Sequence, residues 1–597
     1  MLESCPKAAG SAAAGQLLNP TAEQPLNPGA EQRRVLTLRS LATQGRPEDY
    51  QNITEAFSVP QDINTIAPPG SCRGKKAGII GGGLAGLSAA FELRKAGFDI
   101  TIFEADPERI GGRVFTYYFD SEKKLYGELG AMRLPVSHET VWHYIDLFGL
   151  DTRPFIQTNP AALIYLHGKR VRNDPRGENV RRYIYPAYDL TPNEYAQSWQ
   201  QLGYLGIEAT VMKAPPLFRK EILEVLPLYS QWANYWDSLS TRQAMERQGL
   251  SQGAINLLSS LFPIAGRFLY NSYIDLVQEY YPANFVYMYE IPGGMAKLPY
   301  AFYDSLSGRA EGKYCGGLPA GLLGNVAWKG GCAVKGIYLN TVDNAVTLAY
   351  NQKGTYETLY GNFDYVVCTV PFSVLRVFDI NPLFTSLKMQ AIREVTYSPA
   401  HKTIFRCARR FWEEQGIYGG GSYTDLPVSM LWYPSSSPGG TSYAAGANTG
   451  ISGVYGGNMN PGSMNPGGGG GSEGVLLAYN FNMDAVRVGN LPDEARFTIL
   501  KREIEEVHGL TPGWLDPVMA EFKTQFWNRD PFYRGTFCYF TPQQKNLFSY
   551  AMTQPEYGSR VFFAGEHISP LHRWMQGALK SGMEAANAVA WAATRGI

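Results

Sequence analysis

The chain has 597 residues, of which 45% are hydrophobic, 13% aromatic and 18% charged, material enough for several hydrophobic cores and somewhat rich in rings for lining pockets. Its 53 basic side chains balance 53 acidic ones, so no broad field favours nucleic acid, and the expected partner is small and neutral or zwitterionic. The seven cysteines, at 5, 72, 315, 332, 368, 407 and 538, form neither CxxC pairs nor a dense framework, which argues against structural zinc and a disulfide scaffold; no metal is expected.

The N-terminus lacks a basic start followed by an apolar stretch, and no later run is apolar for 18 residues, so the expectation is a soluble protein without membrane partner, the cytoplasm being the favoured compartment. Residues 1–70 mix Ala, Gly, Pro, Gln and Asn with little periodicity and read as a loose arm whose distal part touches the globule. From Lys75 the pattern changes. Ala77 to Ile80 reads as a buried strand, Gly81 to Gly86 as a tight turn, Leu87 to Ala96 as a helix and Phe98 to Phe103 as a second strand, together a βαβ unit. Residues 140–290 are mainly helical, with amphipathic stretches at Phe218 to Tyr229 and Ser251 to Phe262. Strands return over Val326 to Val370, the last stopped by Pro371. Ser435 to Gly474 is dominated by Gly, Ser, Asn and Pro, with five glycines at 467–471, and reads as a surface insertion. A last strand at Arg560 to Phe563 leads into a closing helix from Gln576 to Ala592.

The turn Gly81-Gly82-Gly83-Leu84-Ala85-Gly86 matches G-x-G-x-x-G. Its glycines permit the turn, admit a pyrophosphate and let the helix pack on its strand, while the helix N-terminus offers free amides to negative charge. Glu104 ends the next strand, 23 residues beyond Gly81, a place suited to ribose hydroxyls. The continuation Arg109-Ile110-Gly111-Gly112-Arg113-Val114 resembles the second glycine pair of the flavin amine-oxidase superfamily, which points to FAD over NAD; in isolation it would read as an ordinary loop with a solvated charge.

Three further blocks, Tyr126 to Pro135 (YGELGAMRLP), Tyr289 to Pro299 (YEIPGGMAKLP) and Val561 to His567 (VFFAGEH), occur in family order and make the chain, from about residue 47 onward, similar to the L-amino acid oxidase branch of that superfamily. The resemblance implies a mixed α/β fold: a discontinuous Rossmann-like FAD-binding domain from residues 71–140, 291–375 and 521–597, a helical substrate lobe over 141–290 and a mixed-sheet substrate domain over 376–520 carrying the insertion. It places Gly81, Gly83, Leu84, Ala85, Gly86, Glu104, Ala105, Gly112, Arg113, Met132, Arg133, Gly565, Glu566, Trp574 and Met575 at FAD, and Val334 at its adenine end unless it is plain strand core.

For the substrate, the resemblance implies that Arg133 grips a carboxylate, as a guanidinium can through two parallel charged bonds; the competing reading is a structural salt bridge. Tyr479 would share the carboxylate, or else be a core tyrosine with a satisfied hydroxyl. Trp574 would wall the pocket, and Lys402 would hold a water near the flavin and assist the reaction with O2, or else be a solvated strand lysine. Arg573 departs from the small residue of many relatives and either alters side-chain preference or turns outward. Cys538 lies one position from the linking cysteine of monoamine oxidases, which on a strand turns its sulfur to the other face, so noncovalent FAD is expected. The implied activity is oxidation of free L-amino acids by O2 to 2-oxo acids, ammonia and hydrogen peroxide, in a homodimer or larger homo-oligomer. Its rivals are an amine or polyamine oxidase, an amino-acid 2-monooxygenase and a flavin-binding protein without turnover.

Overall fold

Five apolar stretches far apart in sequence assemble into one parallel sheet: β1 (Lys76–Ile80), β2 (Asp99–Glu104), β3 (Val326–Gly330), β4 (Tyr365–Cys368) and β5 (Val561–Phe563), in the order β3-β2-β1-β4-β5. In the computed structural model, which describes residues 24–262, 268–309, 317–435 and 472–597, this sheet is the centre of a mixed α/β fold. Its strands read as near-continuous apolar runs because helices cover one face and a four-stranded sheet (Thr358–Phe363, Ala345–Gln352, Cys332–Asn340, Asp379–Asn381) covers the other, as parallel sheets require. Helix α1 (Leu84–Lys95) follows β1 and helix α2 (Met575–Thr594) follows β5. The two touch closely at Gly582, where a Cβ would stand 2.0 Å from Ser88 Oγ and 2.3 Å from the Ala85 carbonyl oxygen.

A second, seven-stranded sheet runs in the order Met519–Phe526, Ala400–Cys407, Gly474–Phe481, Met430–Trp432, Gly421–Thr424, Leu163–Leu166, Lys169–Arg172. Its antiparallel register sets Lys402 opposite Tyr479, and Tyr479 opposite Met430, so these three side chains share a face. A lobe of short helices between Glu178 and Tyr280 packs over that face.

Three expectations change on folding. From residue 24 the N-terminal segment is ordered, with helices Ala30–Thr43 and Tyr50–Phe57; residues 1–23 lie outside the described residues. Its weak periodicity hid anchors that are ionic: Arg33 pairs with Glu139 and Asp146 at 3.1 and 3.0 Å, and buried Asp49 bridges Arg46 and Arg219. The stretch Phe218 to Tyr229 is not one amphipathic helix. A turn of helix, Pro216–Lys220, tightens at Glu221–Leu223 and ends, and Pro227 bars its continuation. By contrast Ser251 caps helix Gln252–Leu261, its hydroxyl accepting the Ala254 amide. Third, the helix after the glycine turn starts at Leu84, inside the motif. The expected glycine-rich insertion falls outside the described residues except at its two ends. Among the described residues no helix is long and apolar enough to cross a membrane, and no cluster of ligands suited to a metal occurs.

Candidate active site

A cavity of about 490 Å³ opens at the C-terminal ends of β1, β2 and β4 and runs to the shared face of the seven-stranded sheet. Its first end is made of backbone. Gly81 has φ +109°, a conformation other residues avoid, and a Cβ there would meet Thr369 Oγ1 at 2.8 Å. Gly83, Leu84 and Ala85 line the wall. Gly83 caps α1 without a side-chain bond, so the first-turn amides keep their hydrogens free of intrahelical partners. Gly83 forms a bridge with Gly111, and Gly112 (φ +60°) packs so closely that a Cβ on it would be 3.2 Å from Gly83 Cα. Gly86 does not line the cavity: a Cβ there would stand 2.0 Å from the Gly81 carbonyl oxygen, so it serves the packing of α1 on β1.

Glu104, Ala105 and Val334 line the far part of this end. Glu104 accepts the Gly82 and Asp106 amides, both at 2.8 Å, and burial nonetheless pushes its carboxyl up to about 7. Opposite, Arg113 donates to Glu566 Oε1 at 2.8 Å and to the Thr536 carbonyl at 3.0 Å. Burial opposes the Glu566 charge, but Arg113 holds its carboxyl below the usual range. Gly565, Glu566 and Met575, the last opening α2 with Trp574 as its cap, complete the wall.

The second end is made of side chains. Arg133, reached from strand Tyr126–Glu128, is buried to 9% exposure and lies 4.5 Å from the Trp432 ring centroid, 5.5 Å from Phe155 and 5.9 Å from Phe285. Its Nη1 has no hydrogen-bond partner, and among the described residues no carboxylate stands within ion-pair reach. Burial lowers its pKa to about 10. Tyr479, Trp574, Met132 and Lys402 line the same space. The Trp574 Nε1 is likewise buried without a partner. Lys402 Nζ donates to the carbonyls of Gly130 (2.7 Å) and Glu128 (3.3 Å) and sits 4.6 Å from the Tyr479 ring centroid. Burial pulls the lysine down to about 7, opposed by the Glu128 charge and aided by Arg133.

Every residue expected at the cofactor or substrate lines this cavity except Gly86. Arg573 does not turn outward: it lines the cavity, with Nη2 on Asp275 Oδ2 at 2.7 Å and Nη1 on Glu279 Oε1 at 3.2 Å. Burial works against the Asp275 charge, yet Arg573 and His572 hold its carboxyl down to about 2. Cys538 is buried and absent from the lining, its neighbours Thr536 and Phe537 being present. Sequence reasoning missed Glu279, Phe268 and Phe285. The available signal was two acids four apart, Asp275 and Glu279, in the otherwise uncharged and buried helix Tyr273–Tyr280, a place where acids are rarely left unpaired.

A model of the family described as flavin containing amine oxidoreductase matches residues 84–590. The L-amino-acid oxidase BmooLAAO-I of Bothrops moojeni is 29% identical over 552 residues, 91% of this chain and 93% of its own length; the L-amino acid oxidase bordonein-L of Crotalus durissus terrificus is 29% identical over 86% of each chain. Among solved structures, putrescine oxidase with putrescine bound superposes with a TM-score of 0.61 at 16% identity, and cyclohexylamine oxidase from Brevibacterium oxydans IH-35A with 0.57 at 16%, each covering 86% of this chain and 98% of the other. These two likenesses are of fold alone. With its parallel sheet, glycine turns and long cavity, the chain belongs to the flavin-containing amine oxidoreductases and is an FAD-dependent oxidase.

Proposed function

We propose that this oxidase acts on free L-amino acids, converting them with O2 to 2-oxo acids, ammonia and hydrogen peroxide. The observation that carries the reading is Arg133, a buried guanidinium lining the cavity, its Nη1 without a partner and no carboxylate in reach among the described residues. A buried charge without a partner is strongly disfavoured, so the site is built for a carboxylate that arrives from outside. A simple amine brings none, and the structural salt bridge that would explain Arg133 otherwise has no acid to complete it among the described residues.

The residues present fit noncovalent FAD. Two helix N-termini, α1 and α2, open on the cavity. The first-turn amides of α1, with Gly83, Leu84 and Ala85, suit the pyrophosphate, and the absence of side chains at Gly83 and Gly112 leaves the approach open. Glu104 would accept ribose hydroxyls, with Ala105 beside it and Val334 against the adenine end. Arg113, Gly565, Glu566, Met132 and Met575 would flank the remainder. The buried Cys538 thiol, outside the cavity lining, supports a noncovalent mode. When bound, FAD supplies the acceptor for the α-hydrogen and the path of electrons to O2.

The chain's own part is chiefly positioning. Arg133 would fix the carboxylate by charged bonds and Tyr479 through its hydroxyl, while the Trp574 ring, 5.2 Å from His138 and 6.1 Å from Phe285 and held edge-on by the former, would confine the amine side. Lys402, with two of its hydrogens on backbone carbonyls, has a third donor to hold a water, and its charge favours the negative charge that develops as O2 is reduced. The substrate atoms balance: the amino acid loses two hydrogens to become an imino acid, O2 gains them as hydrogen peroxide, and water hydrolyses the imine to 2-oxo acid and ammonia.

The test is anaerobic flavin absorbance on adding L-amino acids, their D-enantiomers and the corresponding decarboxylated amines. Bleaching by L-amino acids alone, reversed by air with peroxide released, is expected. Bleaching by amines but not amino acids would overturn the reading.

A further inference from the structure

Two buried acids and two buried arginines meet at the substrate end. Asp275 and Glu279 project from one helix, four residues apart, and Arg573 takes both of them. Of these two arginines, Arg133 is left without a carboxylate among the described residues. Asp275 is fully occupied: Oδ1 accepts the Phe540 amide and His572 Nδ1, and Oδ2 accepts Arg573 and Asn271. Glu279 is not. Its Oε1 accepts Arg573 Nη1, whereas Oε2 has no hydrogen-bond partner among the described residues, and Glu279 lines the cavity.

We infer that Glu279 selects substrates whose side chain ends in a cation, an ammonium or guanidinium, carried on an unbranched stem. This deepens the L-amino acid reading above and rests on it. The argument is charge balance in a desolvated site. Asp275, Glu279, Arg573 and Arg133 sum to zero, with the Lys402 and Glu128 charges offsetting one another. A substrate brings one negative carboxylate to Arg133, and its α-amine must be neutral before the α-hydrogen can leave as hydride. A neutral side chain then leaves the buried cluster one charge short. A cationic end restores zero and gives Glu279 Oε2 the donor it lacks, and a charge-assisted bond in such a site is among the stronger ones. The stem would run beside Phe285 and Trp574, both of which line the cavity.

The ligands that isolate this contact from turnover are hexanoate and 6-aminohexanoate, which have the carboxylate of the substrate and lack the α-amine, so they bind without reacting. On the full-length flavin-loaded protein, dissociation constants are read from the perturbation of flavin absorbance. The amino form is expected to bind about 10- to 100-fold tighter, and kcat/KM to favour L-lysine over L-norleucine by a like factor. In Glu279→Gln both ratios collapse toward one, and Glu279→Asp, which keeps the charge at shorter reach, retains part of them. Hexanoate binding as tightly as 6-aminohexanoate, or a preference that survives Glu279→Gln, overturns the inference. The wild-type ratio alone decides the matter if the variants do not fold. Bleaching by L-norleucine with no advantage for L-lysine sinks this inference only; bleaching by 1,5-diaminopentane and by neither amino acid sinks the amino-acid reading and this one with it.

Discussion

The two ends of the cavity are built on different principles. The end proposed for the nucleotide is backbone: glycines at positive φ, free helix amides and close approaches, contributed largely by the run 81–86 and the pair Gly111–Gly112. The end proposed for the substrate is side chain: Arg133, Glu279, Lys402, Tyr479, Arg573 and Trp574, drawn from five stations spread over more than four hundred residues. Backbone sites need space and conformation and are lost when a single Cβ intrudes. Side-chain sites need balanced charge, and they degrade in steps as each member is removed.

The harshest way to break the first end is Gly81→Val. The φ of +109° and the 2.8 Å approach to Thr369 forbid a branched side chain, at about 1–3 kcal/mol for the backbone strain alone. The expected product is a folded protein purified without flavin, read from its absorbance ratio; a normally yellow protein would show that the turn tolerates rearrangement. Arg133→Ala strikes the second end and should leave flavin content intact. Loss of a buried charge partner is worth about 3–5 kcal/mol, so kcat/KM for L-amino acids should fall by roughly 10²–10⁴-fold. Activity equal to that of the parent would remove Arg133 from the substrate.

Lys402→Met sharpens the comparison within the second end, because it is expected to spare the reductive half-reaction more than the oxidative one. Stopped-flow reoxidation of the photoreduced enzyme should slow by about 10- to 100-fold. In the parent the same rate should fall as pH rises through about 7, where burial places the loss of the lysine's charge, and that dependence should vanish in the variant. A reoxidation rate unaltered by the substitution would make Lys402 structural.

The smallest effect spans both ends. His138 beside Trp574, His401 next to Lys402, His567 next to Glu566 and the remote His508 are buried, and desolvation lowers each to about 3 from an ordinary 6.5. A folded pKa below the unfolded one means that the neutral ring's contribution is complete above pH 6.5 and is lost as pH falls from there toward 3. Each histidine should steepen acid destabilisation by up to ~1.4 kcal/mol per pH unit in that window. Urea midpoints measured by flavin release and by tryptophan fluorescence should shift together across it; separated transitions would mean that the two ends unfold as independent units.

Much of the nucleotide end was legible before folding. The motif, the acid at the end of β2 and the block order are local patterns, and local patterns specify backbone conformation through φ preference and strand-turn-helix geometry. Gly86 was legible only as a motif member; its place outside the cavity follows from how tightly α1 packs on β1. The N-terminal helices and the break at Pro227 were misread because their stability comes from partners remote in the chain, such as Arg219 on Asp49.

The sequence by itself determined that a dinucleotide turn exists and that its context is that of a flavin oxidase; Arg133, Tyr479, Lys402 and Trp574 came as a set only through resemblance to the family. Only the tertiary structure decided that Arg573 points inward and is paid in carboxylates by Asp275 and Glu279, partners 298 and 294 residues away. It also decided that Arg133 is left without a carboxylate among the described residues. The reason is that a charge's partner is set by what packs within a few ångströms of it, and no pattern along the chain encodes that distance.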